Sequence, residues 1–72
     1  MRRDSEFWEA EVSYCISALN NGPGRNFQFS LETFLRHVQM QAAAAFRDDQ
    51  ESAGLRLTEL ASDIVARLDS ES

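Results

Sequence analysis

Few side chains in this chain could act as a nucleophile or a base near neutral pH. Among 72 residues there is one cysteine, Cys15, and one histidine, His37. A thiol becomes nucleophilic only where a base or a positive charge favours the thiolate, and Cys15 has neither close to it in the sequence. His37 has no strong metal ligand one helical turn away. The sequence therefore predicts a buried structural cysteine, a surface or interface histidine, and no catalytic or metal site.

A small enzyme would require Cys15, His37 and a carboxylate to converge in the tertiary structure. Glu11 is the carboxylate that lies among apolar residues of the first predicted helix. We interpret it as a rim residue or as a hydrogen-bonding partner of Tyr14, Trp8 or an arginine. A separation above about 8 Å between His37 and both Cys15 and every acid would exclude acid–base catalysis, because proton transfer needs hydrogen-bond contact. We expect no convergence, and hence neither an enzyme nor a cofactor.

Two short stretches have the composition of ligand-binding loops without their spacing. Residues 48–51 (DDQE) lack the alternating oxygen ligands, the central glycine and the final glutamate of an EF-hand loop. We interpret them as a solvated helix end, with an acidic docking surface as the alternative. Residues 22–26 (GPGRN) match no phosphate-binding fingerprint. They predict a turn that leaves Arg25 exposed and Phe27 either on the core or available to a partner.

The charge balance excludes several classes of partner. The seven basic residues are all arginine and are outnumbered by twelve acidic residues, which gives a net charge of −5. Nucleic-acid binding normally requires a basic face, so direct binding is not expected. No apolar run approaches the roughly 18 residues of a membrane span, and the first residues lack the hydrophobic core of a signal peptide. With its single cysteine, the chain is predicted to be cytoplasmic, without direct contact to nucleic acid or membrane.

Hydrophobic periodicity predicts an all-α fold, with three helices in one domain spanning residues 1–72. The predicted helices cover about residues 5–20, 30–51 and 56–69, as a helical hairpin plus a third helix, and each has one apolar side. The alternative is an N-terminal β-hairpin followed by two helices, because residues 8–18 also alternate with strand periodicity. Against it, the glutamates and alanines of that run are poor strand formers.

Sequence signals also predict where the helices begin and end. Ser30 is the expected N-cap of the second helix, with Phe29 and Phe34 in the positions of a hydrophobic staple. Gly54 is expected to mark a break between the second and third helices, and Thr58 is a possible cap after it. One continuous helix through Gly54 is the alternative.

The most informative stretch is HVQMQAAAAF, residues 37–46, where ten consecutive residues carry no formal charge in a chain that is 26% charged. A helix without a charged face is usually covered on more than one side. Either the other two helices wrap the central helix, or one of its faces binds a second chain. We favour a second chain, because so small a unit without disulfides gains stability from association. The predicted partner-binding residues are Arg25, Phe27, Arg36, His37, Gln39, Met40, Ala43, Ala44 and Arg47.

These features predict a small, non-enzymatic, intracellular protein-binding module that forms a homodimer. An adaptor, an inhibitor or an antitoxin-like regulator fits this description. The alternative is an acidic inhibitor, of the kind that phages encode, that mimics nucleic acid and occupies the DNA- or RNA-binding site of a host protein. Charge mimicry predicts that binding weakens steeply as the salt concentration rises. Binding through methionine, alanine and phenylalanine side chains should be far less sensitive to salt.

Overall fold

The described residues form three successive α-helices. The computed structural model describes residues 3–21 and 31–71, with the side chain of Glu71 excepted, and places α1 at Ser5–Asn20, α2 at Leu31–Arg47 and α3 at Glu51–Glu71. These ranges contain no strand. The prediction of an all-α, three-helix fold is confirmed. Residues 8–18 are helical, so the β-hairpin alternative is not supported. The expected cap Ser30 and staple residue Phe29 lie outside the described residues.

The start of α1 follows from a side-chain cap. Asp4 has an extended backbone, and its carboxylate accepts a hydrogen bond from the backbone N–H of Phe7 at 3.0 Å. This satisfies one of the amides that an α-helix leaves without an internal partner. Glu6 in the first turn adds negative charge at the positive end of the helix dipole. The N-terminus of α1 is therefore fixed by local sequence.

Side chains from all three helices form one hydrophobic core. A short connection turns the chain from α2 into α3, so that the two helices form a hairpin, and α1 packs against this pair. Trp8, Phe34, Leu57 and Ile64 are the largest fully buried side chains, and each contributes about 1.5–3 kcal/mol through burial. The core of the described residues consists of Trp8, Val12, Cys15, Ala18, Leu19, Phe34, Val38, Ala42, Ala44, Ala45, Ala53, Leu57, Leu60, Ala61 and Ile64.

The break between α2 and α3 lies at residues 48–50, not at Gly54. Asp49 adopts a left-handed backbone conformation with φ 61°. The N–H of Gln50 donates to the carbonyl of Ala45 at 2.8 Å, and the N–H of Asp49 donates to that of Phe46 at 3.1 Å. These two bonds make a Schellman motif, with aspartate where glycine is usual. The prediction of a break is confirmed, but α2 ends four residues earlier and α3 begins five residues earlier than expected.

Gly54 lies inside α3 for a steric reason. A Cβ atom at this position would lie 2.7 Å from Cζ of Phe46 and 2.8 Å from both Cε atoms of the same ring. The absence of a side chain therefore lets the phenylalanine of α2 lie directly on the backbone of α3. Thr58 is not a cap, because its hydroxyl donates to the carbonyl of Gly54 at 2.8 Å within the helix. Both corrections follow from α3 beginning at Glu51.

Candidate functional site

Glu11, Cys15 and His37 converge where α1 crosses α2. Glu11 and Cys15 lie one turn apart on α1, and His37 reaches them from α2. One donor atom from each side chain lies within 4.8 Å of the other two. His37 Nε2 is 3.4 Å from Glu11 Oε2. The expectation that these three residues do not converge is therefore wrong, and the separation that would have excluded acid–base chemistry is not found.

Gln41 completes the polar contact between the two helices. Its Nε2 donates to Glu11 Oε2 at 2.6 Å. Within the described part of the chain, Glu11 thus contacts Gln41 and His37, neither of which was among its predicted partners. Each helix supplies two residues at an i,i+4 spacing, which places both on the same side of that helix. That spacing was visible in the sequence, but nothing in the sequence showed which sides of α1 and α2 would face each other.

His37 Nε2 is a buried polar atom without a hydrogen bond. It lies within ion-pair distance of Glu11 Oε2, but the direction of approach does not meet hydrogen-bond geometry. The histidine side chain as a whole remains 43% exposed, so the ring reaches solvent while Nε2 faces the cluster. Buried side-chain nitrogen atoms normally have a hydrogen-bond partner, and this one does not. The cluster therefore contains one buried nitrogen without a hydrogen bond, 3.4 Å from the carboxylate of Glu11.

The thiol of Cys15 is held in its neutral form. Burial raises the pKa of Cys15 to about 11, and the negative charge of Glu11 acts in the same direction. Both effects disfavour the thiolate, because neither low polarity nor a neighbouring carboxylate stabilises another negative charge. The residue is fully buried. The arrangement is the opposite of the electropositive, accessible setting that activates catalytic cysteines.

The outer face of α2 carries five of the predicted partner-binding residues. The term outer face refers here to Glu32, Arg36, Gln39, Met40, Ala43 and Arg47, all of which are exposed and recur with helical spacing. Met40 is 71% exposed, which is unusual for so large an apolar side chain. The structure thus places Arg36, Gln39, Met40, Ala43 and Arg47 on one continuous strip. Arg25 and Phe27 lie outside the described residues.

Two predicted interface residues belong to a different side of α2. Ala44 is buried, so its assignment to an exposed surface was wrong. It follows His37 and Gln41 at helical spacing and precedes Asp48 in the same series, and those three residues contact α1. The small side chain of Ala44 therefore lies on the side that α1 covers. The uncharged stretch of α2 is explained in part by burial against α1 and α3, which covers Val38, Ala42, Ala44 and Ala45.

Asp48 ties the N-terminal end of α1 to the connection between α2 and α3. Its Oδ2 accepts hydrogen bonds from Trp8 Nε1 at 3.0 Å and from the backbone N–H of Arg3 at 3.2 Å. The backbone N–H of Arg3, followed by the Trp8 indole and the Arg3 charge, holds the pKa of Asp48 below its usual value. Asp48 is therefore an internal anchor, whereas Asp49 and Glu51 are exposed, so the interpretation of residues 48–51 as a solvated helix end is corrected at Asp48 alone.

Comparisons with protein-family models, with curated proteins and with solved structures returned no match. Among the described residues, no helix is long and apolar enough to span a membrane.

Proposed function

We propose that the protein is a non-enzymatic protein-binding module that works as a homodimer, with the outer face of α2 as the contact. The observation that carries this proposal is the exposure of Met40 in the middle of a neutral strip. Gln39 and Ala43 flank Met40, and charged residues lie only towards the ends of the strip. Methionine adapts to irregular neighbours, and alanine allows close approach of a second helix. An exposed strip of this kind suits helix-to-helix docking.

The charges at the ends of the strip favour a second copy of this chain as the occupant. An antiparallel pairing of two α2 helices, centred between Gln39 and Met40, brings Glu32 of each copy beside Arg47 of the other. The same register places Arg36 over Ala43, where its aliphatic stem can pack. The two ends lie about 22 Å apart along the helix axis. A two-fold contact is self-complementary, so each favourable pair forms twice.

The small core supports association. Among the described residues, six of the fifteen buried hydrophobic side chains are alanines, and each of these buries little area. Cys15 is unpaired and buried, so it supplies no disulfide. Domains of this size rarely obtain more than roughly 3–5 kcal/mol from one core, and oligomerisation is one of the usual supplements. A second copy on α2 would bury Met40 and extend the core outward.

A binding role is also favoured over catalysis. The neutral, fully buried thiol of Cys15 is a poor nucleophile. An adaptor, an inhibitor or an antitoxin-like regulator remains the class that we propose. A reduced thiol also fits a cytoplasmic location.

A charge swap tests the dimer. Glu32→Arg and Arg47→Glu each place like charges at both ends of the contact and should shift sedimentation equilibrium towards the monomer. The double variant restores opposite charges and should restore the dimer. Each exposed pair contributes only about 0.2–1 kcal/mol, so the measurement is made at low salt and near the dissociation constant.

Ala43→Glu is the stronger single change, because it places a carboxylate against the neutral centre of the contact. Ala66→Glu, at an exposed alanine of α3, is its matched control. A dimer that survives Ala43→Glu, or a wild-type chain that sediments as a monomer at millimolar concentration, would refute the proposal.

A further inference from the structure

We propose that Glu11, Cys15 and His37 form a binding site for one divalent transition-metal ion, with Zn²⁺ as the expected occupant. The three side chains supply a carboxylate oxygen, a sulfur and an imidazole nitrogen from two different helices. This donor set is the one that zinc accepts in proteins. The proposal replaces the expectation, drawn from the sequence, that the chain has no metal site.

The distances between the three ligand atoms are close to those found around a bound zinc ion. Ligand atoms bound to one tetrahedral zinc lie about 3.3–3.8 Å apart, given bonds of roughly 2.0–2.3 Å. The 3.4 Å between His37 Nε2 and Glu11 Oε2 falls in this range. The donor atoms of the whole cluster lie within 4.8 Å of one another, so rotations that move a donor atom by roughly 1 Å close the site.

His37 supplies the observation that separates this cluster from a chance grouping. Its buried Nε2 has no hydrogen bond and lies 3.4 Å from Oε2 of Glu11. A metal ion would satisfy this nitrogen with the lone pair that a neutral imidazole offers. The contact between His37 and Glu11 alone does not satisfy it, because the geometry is wrong for a hydrogen bond.

Charge balance also suits a divalent cation. On binding, the metal–sulfur bond replaces the S–H bond of Cys15, and the proton is released to water. The resulting thiolate and the carboxylate of Glu11 together carry two negative charges, which the ion neutralises. Gln41 donates to Glu11 and would hold the carboxylate in place, as groups next to metal ligands commonly do. The sulfur donor disfavours Mg²⁺ and Ca²⁺, which prefer oxygen ligands alone.

Three protein ligands leave a fourth position for water or another donor. The exposed part of the His37 ring lies beside a cleft lined by Tyr14, Thr33, Phe34 and His37. The main effect that we infer is structural, since the ion would join the middle of α1 to α2 and its binding free energy would add to stability.

Cobalt titration of the reduced, full-length chain tests the site. Co²⁺ bound to a thiolate gives a charge-transfer band in the near ultraviolet and d–d bands in the visible. Cys15 is the sole cysteine, so any such band must come from it. We expect one Co²⁺ per chain, displaced by one Zn²⁺ with loss of the bands. A Zn²⁺ concentration about 100 times the dissociation constant should raise the melting temperature by roughly 10–20 °C.

Four variants assign the ligands. Cys15→Ala should abolish the charge-transfer band. His37→Gln and Glu11→Gln should each weaken Co²⁺ binding by more than about 100-fold, since loss even of a group that only orients a ligand costs up to that factor. Glu9→Gln, at an exposed acid of α1, is the matched control and should bind as the wild type does. Far-ultraviolet circular dichroism shows whether each variant is folded.

The proposal is overturned if the folded wild-type chain gives no charge-transfer band at saturating Co²⁺. It is equally overturned if His37→Gln or Glu11→Gln retains wild-type affinity. Titration of Ala43→Glu separates this proposal from the dimer, because all three ligands come from one chain and a monomer should bind the ion equally well.

Discussion

Trp8 donates its indole N–H to Asp48 at 3.0 Å, which joins the first turns of α1 to the connection between α2 and α3. Trp8 is 1% exposed, so this hydrogen bond comes from a side chain of the core. Arg3 lies over the rings of both Phe7 and Trp8, at 4.7 and 4.9 Å from their centroids, and its backbone N–H donates to the same carboxylate. Asp48 therefore accepts hydrogen bonds from two residues near the N-terminus of the chain.

Trp8→Phe should lower the melting temperature, because phenylalanine keeps an aromatic ring in the core but leaves Asp48 without the indole donor. Asp48→Asn should also lower it, since the acceptor loses its charge. Thermal unfolding followed by circular dichroism measures both. Asp63→Asn, at an exposed position of α3, is the matched control and should have little effect. Equal melting temperatures for Asp48→Asn and Asp63→Asn would contradict the anchoring role.

The lowered pKa of Asp48 predicts a specific acid sensitivity. A carboxyl with a lower pKa in the folded chain stabilises it fully above the unfolded value, which is about 3.9. This stabilisation is lost as the pH falls from that value through the folded pKa. Urea unfolding midpoints measured across this range should therefore fall more steeply for the wild type than for Asp48→Asn. Parallel curves for the two proteins would show that Asp48 is not the group responsible.

Gly54→Ala should have opposite effects with and without the Phe46 ring. Alanine is normally favoured over glycine inside a helix by about 0.5–1 kcal/mol. Here its Cβ would lie 2.7 Å from the ring of Phe46, which must move off α3. We expect Gly54→Ala to destabilise the wild type but to stabilise the Phe46→Ala variant by about 0.5–1 kcal/mol. Denaturant unfolding of the four proteins in this cycle gives the coupling energy, and a coupling near zero would exclude the steric explanation.

The left-handed backbone conformation of Asp49 predicts that only some residue types are tolerated at this position. Asparagine tolerates a positive φ, whereas a β-branched side chain does not. Asp49→Ile should destabilise the chain by about 1–2 kcal/mol, and Asp49→Asn should change stability far less. Chemical denaturation compares the two. If isoleucine is tolerated as well as asparagine, the Schellman motif does not form at this position in solution.

Adjacent alanines of α2 should respond differently to the same substitution. Ala43→Glu places a carboxylate on the outer face and should leave the helices folded. Ala44→Glu places it in the core, where an unpaired charge costs several kcal/mol, and should unfold a domain of this size. Far-ultraviolet circular dichroism distinguishes the two variants. A folded Ala44→Glu protein would mean that α1 does not cover this side of α2.

Sequence periodicity was sufficient to predict the three helices and most of their buried sides. Val12, Leu57 and Ile64 are buried as their spacing indicates, because one apolar side of a helix must face its neighbours. The predicted position of the break is wrong because the helix terminator is not the glycine. Asp49 takes the left-handed conformation instead, and Gly54 makes room for Phe46.

The cluster of Glu11, Cys15 and His37 could not be predicted in the same way. Helical spacing shows which residues share a side of one helix, but not which side of a second helix comes to lie against it. The burial of Ala44 could not be predicted for the same reason, because it depends on which side of α2 packs against α1. Pairwise packing between α1 and α2 is set by tertiary contacts such as those of Gln41 and Asp48.

Because α1 is hydrogen-bonded to Asp48, the three-residue connection between α2 and α3 also determines where α1 packs. An insertion between Arg47 and Asp48 would move the carboxylate away from the indole, so α1 would have to shift or detach even though its own sequence was intact. Tolerance to length changes, usually greatest in loops, should therefore be poor here.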